Sequence, residues 1–216
     1  MKLSRARRFY KKTYYLRGLL RENPVLVMGL AIPLVVVVSS SFKNALGMSI
    51  AMACSIIPTM VIASLWTKKL EYWVRIAANC LISMSLLMLS VAIIKFSAPT
   101  ILDSLGIYMG LTGINTIMIH RTEAFAIKSK PLDALLDGVV NTLGYSAVIC
   151  VIAAIREIFG NGTFMLNPVE LPFKLDGLII PFSGLILLGF LSAFAKWLNR
   201  AVLASVCKQS GKGKRK

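Results

Sequence analysis

Few residues in this 216-residue chain have the types and spacing that chemistry requires. Four cysteines, Cys54, Cys80, Cys150 and Cys207, could supply thiolates to a metal or close disulfides. None stands in a CxxC pair, and the first three lie in apolar blocks, where a free cysteine acts as a small hydrophobe. The single histidine, His120, sits beside Arg121 with no cysteine or carboxylate cluster around it, so no metal site is expected. The chain has no Walker loop, no GxGxxG after a strand, no HExxH and no Ser/His/Asp arrangement. What remains are polar residues within or at the ends of apolar blocks. Asn79 and Asn141 are expected to hydrogen-bond between helices. Asp103 should lie near an outer surface and Asp137 near an inner one. Arg156 and Glu157 should find partners at an interface.

Two places carry a sharper signal. Gly29-Leu30-Ala31-Ile32-Pro33 aligns with Gly113-Ile114-Asn115-Thr116-Ile117 at an offset of 84 residues. Pro33 has no N–H, so the carbonyl of Gly29 loses its helical partner. Asn115 and Thr116 put polar groups in the middle of an apolar block. Interruptions at membrane depth are tolerated where they face protein or a cavity, and such breaks mark transport centres. Gly29, Pro33, Gly113 and Asn115 are therefore the expected half-helix breaks. The plainer alternative is a kink in the first segment and packing polar residues in the second.

These residues need elements to hold them. The chain is 56% hydrophobic and only 16% charged, against about 25% charge in soluble domains. Its apolar residues fall in blocks long enough to cross a bilayer as helices. Six spans are predicted: Pro24–Phe42, Ala45–Trp66, Trp73–Phe96, Thr100–His120, Leu135–Ile158 and Leu178–Trp197. The backbone in lipid must satisfy itself, so each span must be helical. The two breaks fall in spans one and four. Three spans separate them, so the copies run in opposite directions, as in an inverted repeat of three helices plus three. The fold class is an all-α polytopic membrane protein.

The formal charge of +16 does not imply nucleic acid. Of 25 Lys and Arg, 21 fall in the N-terminal tail, the second and fourth connections and the C-terminal end. The positive-inside rule then puts both termini in the cytoplasm, in a cell inner membrane, with lipid as the neighbour of the basic flanks. No cleavage site follows the basic start, so the first span should be retained. Residues 1–22 read as a basic segment, either an interfacial helix or a flexible tail. Residues 23–200 form the six-helix domain and residues 201–216 a basic tail. Lys208–Lys216 is too polar and Gly-rich to fold alone.

The motifs around these breaks resemble a known family. Arg21-Glu22-Asn23-Pro24-Val25-Leu26-Val27, the Gly29–Pro33 motif and Asn44-Ala45-Leu46-Gly47-Met48 resemble the start of the Rnf/Nqr membrane subunits. Asn115 through Ala126 resembles that family's second motif, and Leu136-Asp137-Gly138 and Arg156–Thr163 its fifth-helix region. The likeness spans about residues 18–200, and the basic N-terminus favours the RnfE/NqrD type. It implies a non-catalytic, six-helix subunit of an ion-translocating electron-transfer complex, paired with a sister subunit of RnfA/NqrE type. It also implies a [2Fe–2S] cluster shared by the pair, two cysteines from each, at the broken half-helices.

At those cluster positions this chain has Ile32 and Thr116, and a family Gly is His120. Isoleucine has no donor atom and a threonine hydroxyl is a poor ligand where clusters take thiolates. No cofactor is therefore expected on this chain. The alternatives are a non-redox transport or scaffold subunit that reuses the fold, and a homodimer.

Overall fold

The computed structural model describes residues 23–97, 99–165, 167–168 and 175–212, with only the backbone from 201 on. The N-terminal basic segment lies outside the described residues. The chain is built from helices: α1 (Ile32–Val38), α2 (Phe42–Leu65), α3 (Tyr72–Ser97), α4 (Pro99–Leu105), α5 (Ile107–Gly113), α6 (Thr116–Ala124), α7 (Pro131–Arg156) and α8 (Pro181–Lys212). The one sheet among the described residues is a small antiparallel hairpin, Thr163–Phe164 with Asn167–Pro168.

Four helices, α2, α3, α7 with its continuation to Asn161, and α8 to Arg200, are long and apolar enough to cross a membrane. Predicted spans two, three, five and six correspond to them with shifted ends. Predicted spans one and four are the two in which breaks are expected. Neither is a single helix, because each is assembled from short pieces around an irregular turn. In the first, Pro24–Ala31 forms turns and only α1 is regular helix. In the second, α4, α5 and α6 are separated at Gly106, whose φ is +47°, and at Ile114-Asn115. The last helix continues to Lys212. Its polar end extends a helix already nucleated upstream, which costs far less than starting one.

Helix α2 is the centre. Ala45, Met48, Met52, Ile56, Met60 and Ala63 have no exposure and recur every three or four residues, the spacing of one helical face. It packs against α7, where Gly138 lets the two backbones approach closely. A Cβ at Gly138 would stand 3.4 Å from the Ile57 Cα. Small residues of this kind replace the hydrophobic effect as the means of helix association in lipid. On the other side of α2, the Ser55 and Ser83 hydroxyls lie 2.6 Å apart and tie it to α3. Helices α3 and α8 are largely uncovered, with Leu81, Met88 and Phe96 on one and Phe182, Phe190 and Trp197 on the other exposed.

Candidate functional site

The two interruptions meet. In the first, Asn23 starts a helical turn by accepting from the Val25 and Leu26 amides at 2.9 and 3.0 Å. Its amide group donates to the Gly144 carbonyl on α7 at 3.0 Å. The turn ends at Gly29, φ +69°, and Ala31 follows at φ +58°. Glycine takes that conformation freely, whereas a residue with a Cβ meets about 1–2 kcal/mol of strain. α1 then restarts with Pro33 in its first turn, where the missing N–H is harmless. In the second interruption, α5 stops at Gly113. A Cβ at Gly113 would overlap the Met84 Sδ on α3, so a side chain there requires that flexible thioether to move. Asn115, with an extended backbone, then caps α6, its Oδ1 accepting from the Ile117 amide at 2.8 Å. Its Nδ2 points to the Met52 Sδ at 3.2 Å.

The contact between the two is a hydrogen bond 85 residues apart in sequence: the Ala31 amide donates to the Thr116 Oγ1 at 3.0 Å. Ala31 is buried and turned left-handed, so its N–H points away from any helical acceptor of its own segment. Thr116 is exposed, as are Gly29, Pro33 and Ile114, and Ile32 is half-buried. The junction is thus anchored in the core by Asn23 and Asn115 and open on its outer side.

Charged pairs stand beside the second break. Arg121 and Asp137 form a two-point ion pair between α6 and α7, and Arg121 also lies 5.5 Å from the Phe125 ring centroid. Arg75 and Glu123 form another, at 2.8 and 2.6 Å, between α3 and α6. Bidentate geometry of this kind is the strong form of an Arg–carboxylate bond.

Arg156 and Glu157 find their partners within this chain. Arg156 is 1% exposed. Its guanidinium donates to the carbonyls of Val36 at 2.7 Å, Leu178 at 2.9 Å and Ile179 at 2.8 Å, and to the Ser39 hydroxyl at 2.8 Å. It closes the C-terminal end of α1, where helix carbonyls lack partners, and fixes the approach to α8. Glu157 is buried too, and accepts from the amides of Phe42 at 2.5 Å and Met165 at 2.8 Å. Asn79 accepts from Thr67, on the turn before its own helix, at 2.9 Å. Asn141 bonds within its own helix, to the Asp137 carbonyl at 2.8 Å, and not between helices.

Sequence reasoning missed Ala31 and both ion pairs. Left-handed alanine leaves no trace in composition. The pairing of Arg121 with Asp137 could have been read from their positions, since both fall at the inner ends of two consecutive predicted spans.

The cluster that the family resemblance implies does not fit these residues. Ile32 offers no donor, and the Thr116 oxygen is already engaged by the Ala31 amide. Cys54, Cys80 and Cys150 belong to α2, α3 and α7, none of which forms either break.

The chain matches a family model described as "Rnf-Nqr subunit, membrane protein" over residues 11–195. It is 33% identical over 189 residues to the NqrD protein of the Na(+)-translocating NADH-quinone reductase of Pseudoalteromonas atlantica, covering 84% of this chain and 90% of the relative. It is 38% identical over 146 residues to the RnfE protein of the ion-translocating oxidoreductase complex of Aliivibrio fischeri, covering 68% of this chain and 64% of the relative. The corresponding RnfE protein of Vibrio cholerae is 38% identical over 152 residues, 70% of this chain and 66% of the relative.

Proposed function

The chain belongs to the Rnf-Nqr family of membrane subunits, and we propose that it serves in an ion-translocating electron-transport complex as a helical core subunit that carries no iron–sulfur ligands of its own. The observation that carries this reading is the direct bond between the two interruptions, Ala31 amide to Thr116 hydroxyl. It closes with protein atoms the place where the family resemblance puts metal ligands.

In this reading the chain crosses the membrane six times. Four crossings are single helices, and two are the assembled segments ending in α1 and α6. Segments one to three and four to six are inverted copies, related through the Gly29–Pro33 and Gly113–Ile117 motifs. Both termini lie in the cytoplasm of a cell with an inner membrane. The open outer side of the junction, with Pro33, Ile114 and Thr116 exposed, faces a sister protein of the RnfA/NqrE type. Ile32 and Thr116 mark the former ligand positions.

A second reading has a specific observation behind it. The replaced ligands fit equally with a transport or scaffold subunit that keeps the fold and has left electron transfer. Purification of the native assembly under mild detergent, followed by identification of its components, separates the two. Flavin-, ferredoxin- or NADH-binding partners are expected. A chain that purifies alone or as a homodimer refutes the proposal. A [2Fe–2S] spectrum that disappears when Cys54, Cys80 or Cys150 is replaced refutes the ligand assignment.

A further inference from the structure

Helix α7 buries two polar atoms that have no hydrogen-bond partner among the described residues, the Asn141 Oδ1 and the Tyr145 hydroxyl. Asn141 is 1% exposed and Tyr145 has no exposure. A buried polar group left unbonded carries its full desolvation cost, and native proteins rarely leave one so. Here two stand together. Residues four apart share one helical face, and long side chains lean back toward the helix N-terminus. The Tyr145 ring therefore leans over the turn that carries Asn141.

The packing offers neither atom a partner. α7 runs antiparallel to α2, with Gly138 against Ile57 and Met60, and Cys150 beside Ser49. Asn141 and Tyr145 thus fall opposite the stretch from Met52 to Ile56. Met52 and Ile56 are fully buried there and have no side-chain donor. The Ser55 hydroxyl is taken by Ser83, the Thr142 hydroxyl by the Gly138 carbonyl and the Asn141 Nδ2 by the Asp137 carbonyl. The two orphans are also complementary. An amide oxygen only accepts, whereas a tyrosine hydroxyl donates and accepts. One water can give a hydrogen to the first and take one from the second. A metal cation would leave the hydroxyl hydrogen unbonded and bring a charge to neutralise. No group of three His, Cys, Asp or Glu gathers to hold one among the described residues.

We propose that the α7–α2 interface binds a single buried water between the Asn141 oxygen and the Tyr145 hydroxyl. Its place ties it to both interruptions. The Gly144 carbonyl, one residue before Tyr145, holds the Asn23 anchor of the first break. Met52, on the facing stretch of α2, receives the Asn115 cap of the second. The site requires no redox or transport role and stands if those readings fail.

The test is X-ray radiolysis of the full chain in detergent, in water enriched in heavy oxygen and read by peptide mass spectrometry. Radicals made from a bound water mark the side chain beside it, and a trapped water exchanges its oxygen slowly. Tyr145 should be hydroxylated despite its burial, and its heavy-oxygen uptake should lag that of the exposed Tyr72. An unlabelled Tyr145 overturns the proposal. Asn141→Leu should remove most of the label, and full labelling in that variant overturns the shared site. Tyr145→Phe should lower the thermal midpoint by roughly 2–4 °C, the worth of one hydrogen bond in a chain of this size. A dry hydroxyl predicts no change or a rise, and either refutes the water. In the Asn141→Leu background the same substitution should no longer lower the midpoint, and an equal loss in both backgrounds counts against it. Labelling of the wild type and the Tyr145→Phe midpoint decide the matter even where Asn141→Leu does not fold. Exchanging sodium for choline at constant ionic strength should change neither readout. A dependence on sodium would identify a cation and overturn the water.

Discussion

Replacing Thr116 with valine removes one oxygen and keeps the shape of the side chain. The Ala31 amide then loses its acceptor at 3.0 Å. Ala31 is 6% exposed and held at φ +58°, so its N–H cannot turn to a helical carbonyl without undoing the break. An orphaned buried donor costs about 1–3 kcal/mol. The strained turn that the bond holds then loses one of its restraints. Thr116→Ser keeps the oxygen and should cost under about 0.5 kcal/mol, the usual range for a surface change. Thermal unfolding in detergent is the assay, with equilibrium unfolding on the same samples for the free energy. For a chain of this size about 1 kcal/mol corresponds to a shift of roughly 2–4 °C, so valine should lower the midpoint by roughly 2–12 °C. The reasoning fails if valine melts with the wild type, or if serine falls as far as valine.

Asp137→Asn should destabilise by about 3–5 kcal/mol, because it strands the largely buried charge of Arg121, and Arg121→Gln should also destabilise. The double variant should recover much of that loss, giving a coupling energy in a double-mutant cycle. Arg156→Met should unfold the α1–α8 corner, seen as protease cleavage between residues 162 and 180. Arg156→Lys should not rescue it, since a point charge cannot span the Val36 and Ile179 carbonyls as a planar fork does. Gly113→Ala should cost about 1–3 kcal/mol through overlap with Met84, and combining it with Met84→Ala should relieve part of that cost in the same unfolding assay. A green fluorescent protein fused after Lys216 should fluoresce, and an alkaline phosphatase fused there should be inactive, if the C-terminus is cytoplasmic.

Length and hydropathy were enough to find the apolar blocks, because a bilayer admits almost no other use for them. They were enough for α2, α3, α7 and α8, whose ends were missed by a few residues because capping is local and weak. Gly29, Pro33, Gly113 and Asn115 stand at or beside the irregular turns, and their backbone preferences act without any tertiary partner. The family likeness was also legible, because its motifs lie in sequence around those same residues. Other features existed only after folding. Ala31 becomes left-handed because Asn23 anchors the turn before it on α7 and Thr116 takes up its amide, 85 residues on. Arg156 becomes a buried clamp because carbonyls from two segments far apart in sequence, Val36 and Leu178 to Ile180, converge on it. Hydrophobic pattern is set by each segment against its solvent, so the sequence carries it alone. A hydrogen bond between distant segments depends on where both arrive, and only the packed helices decide that.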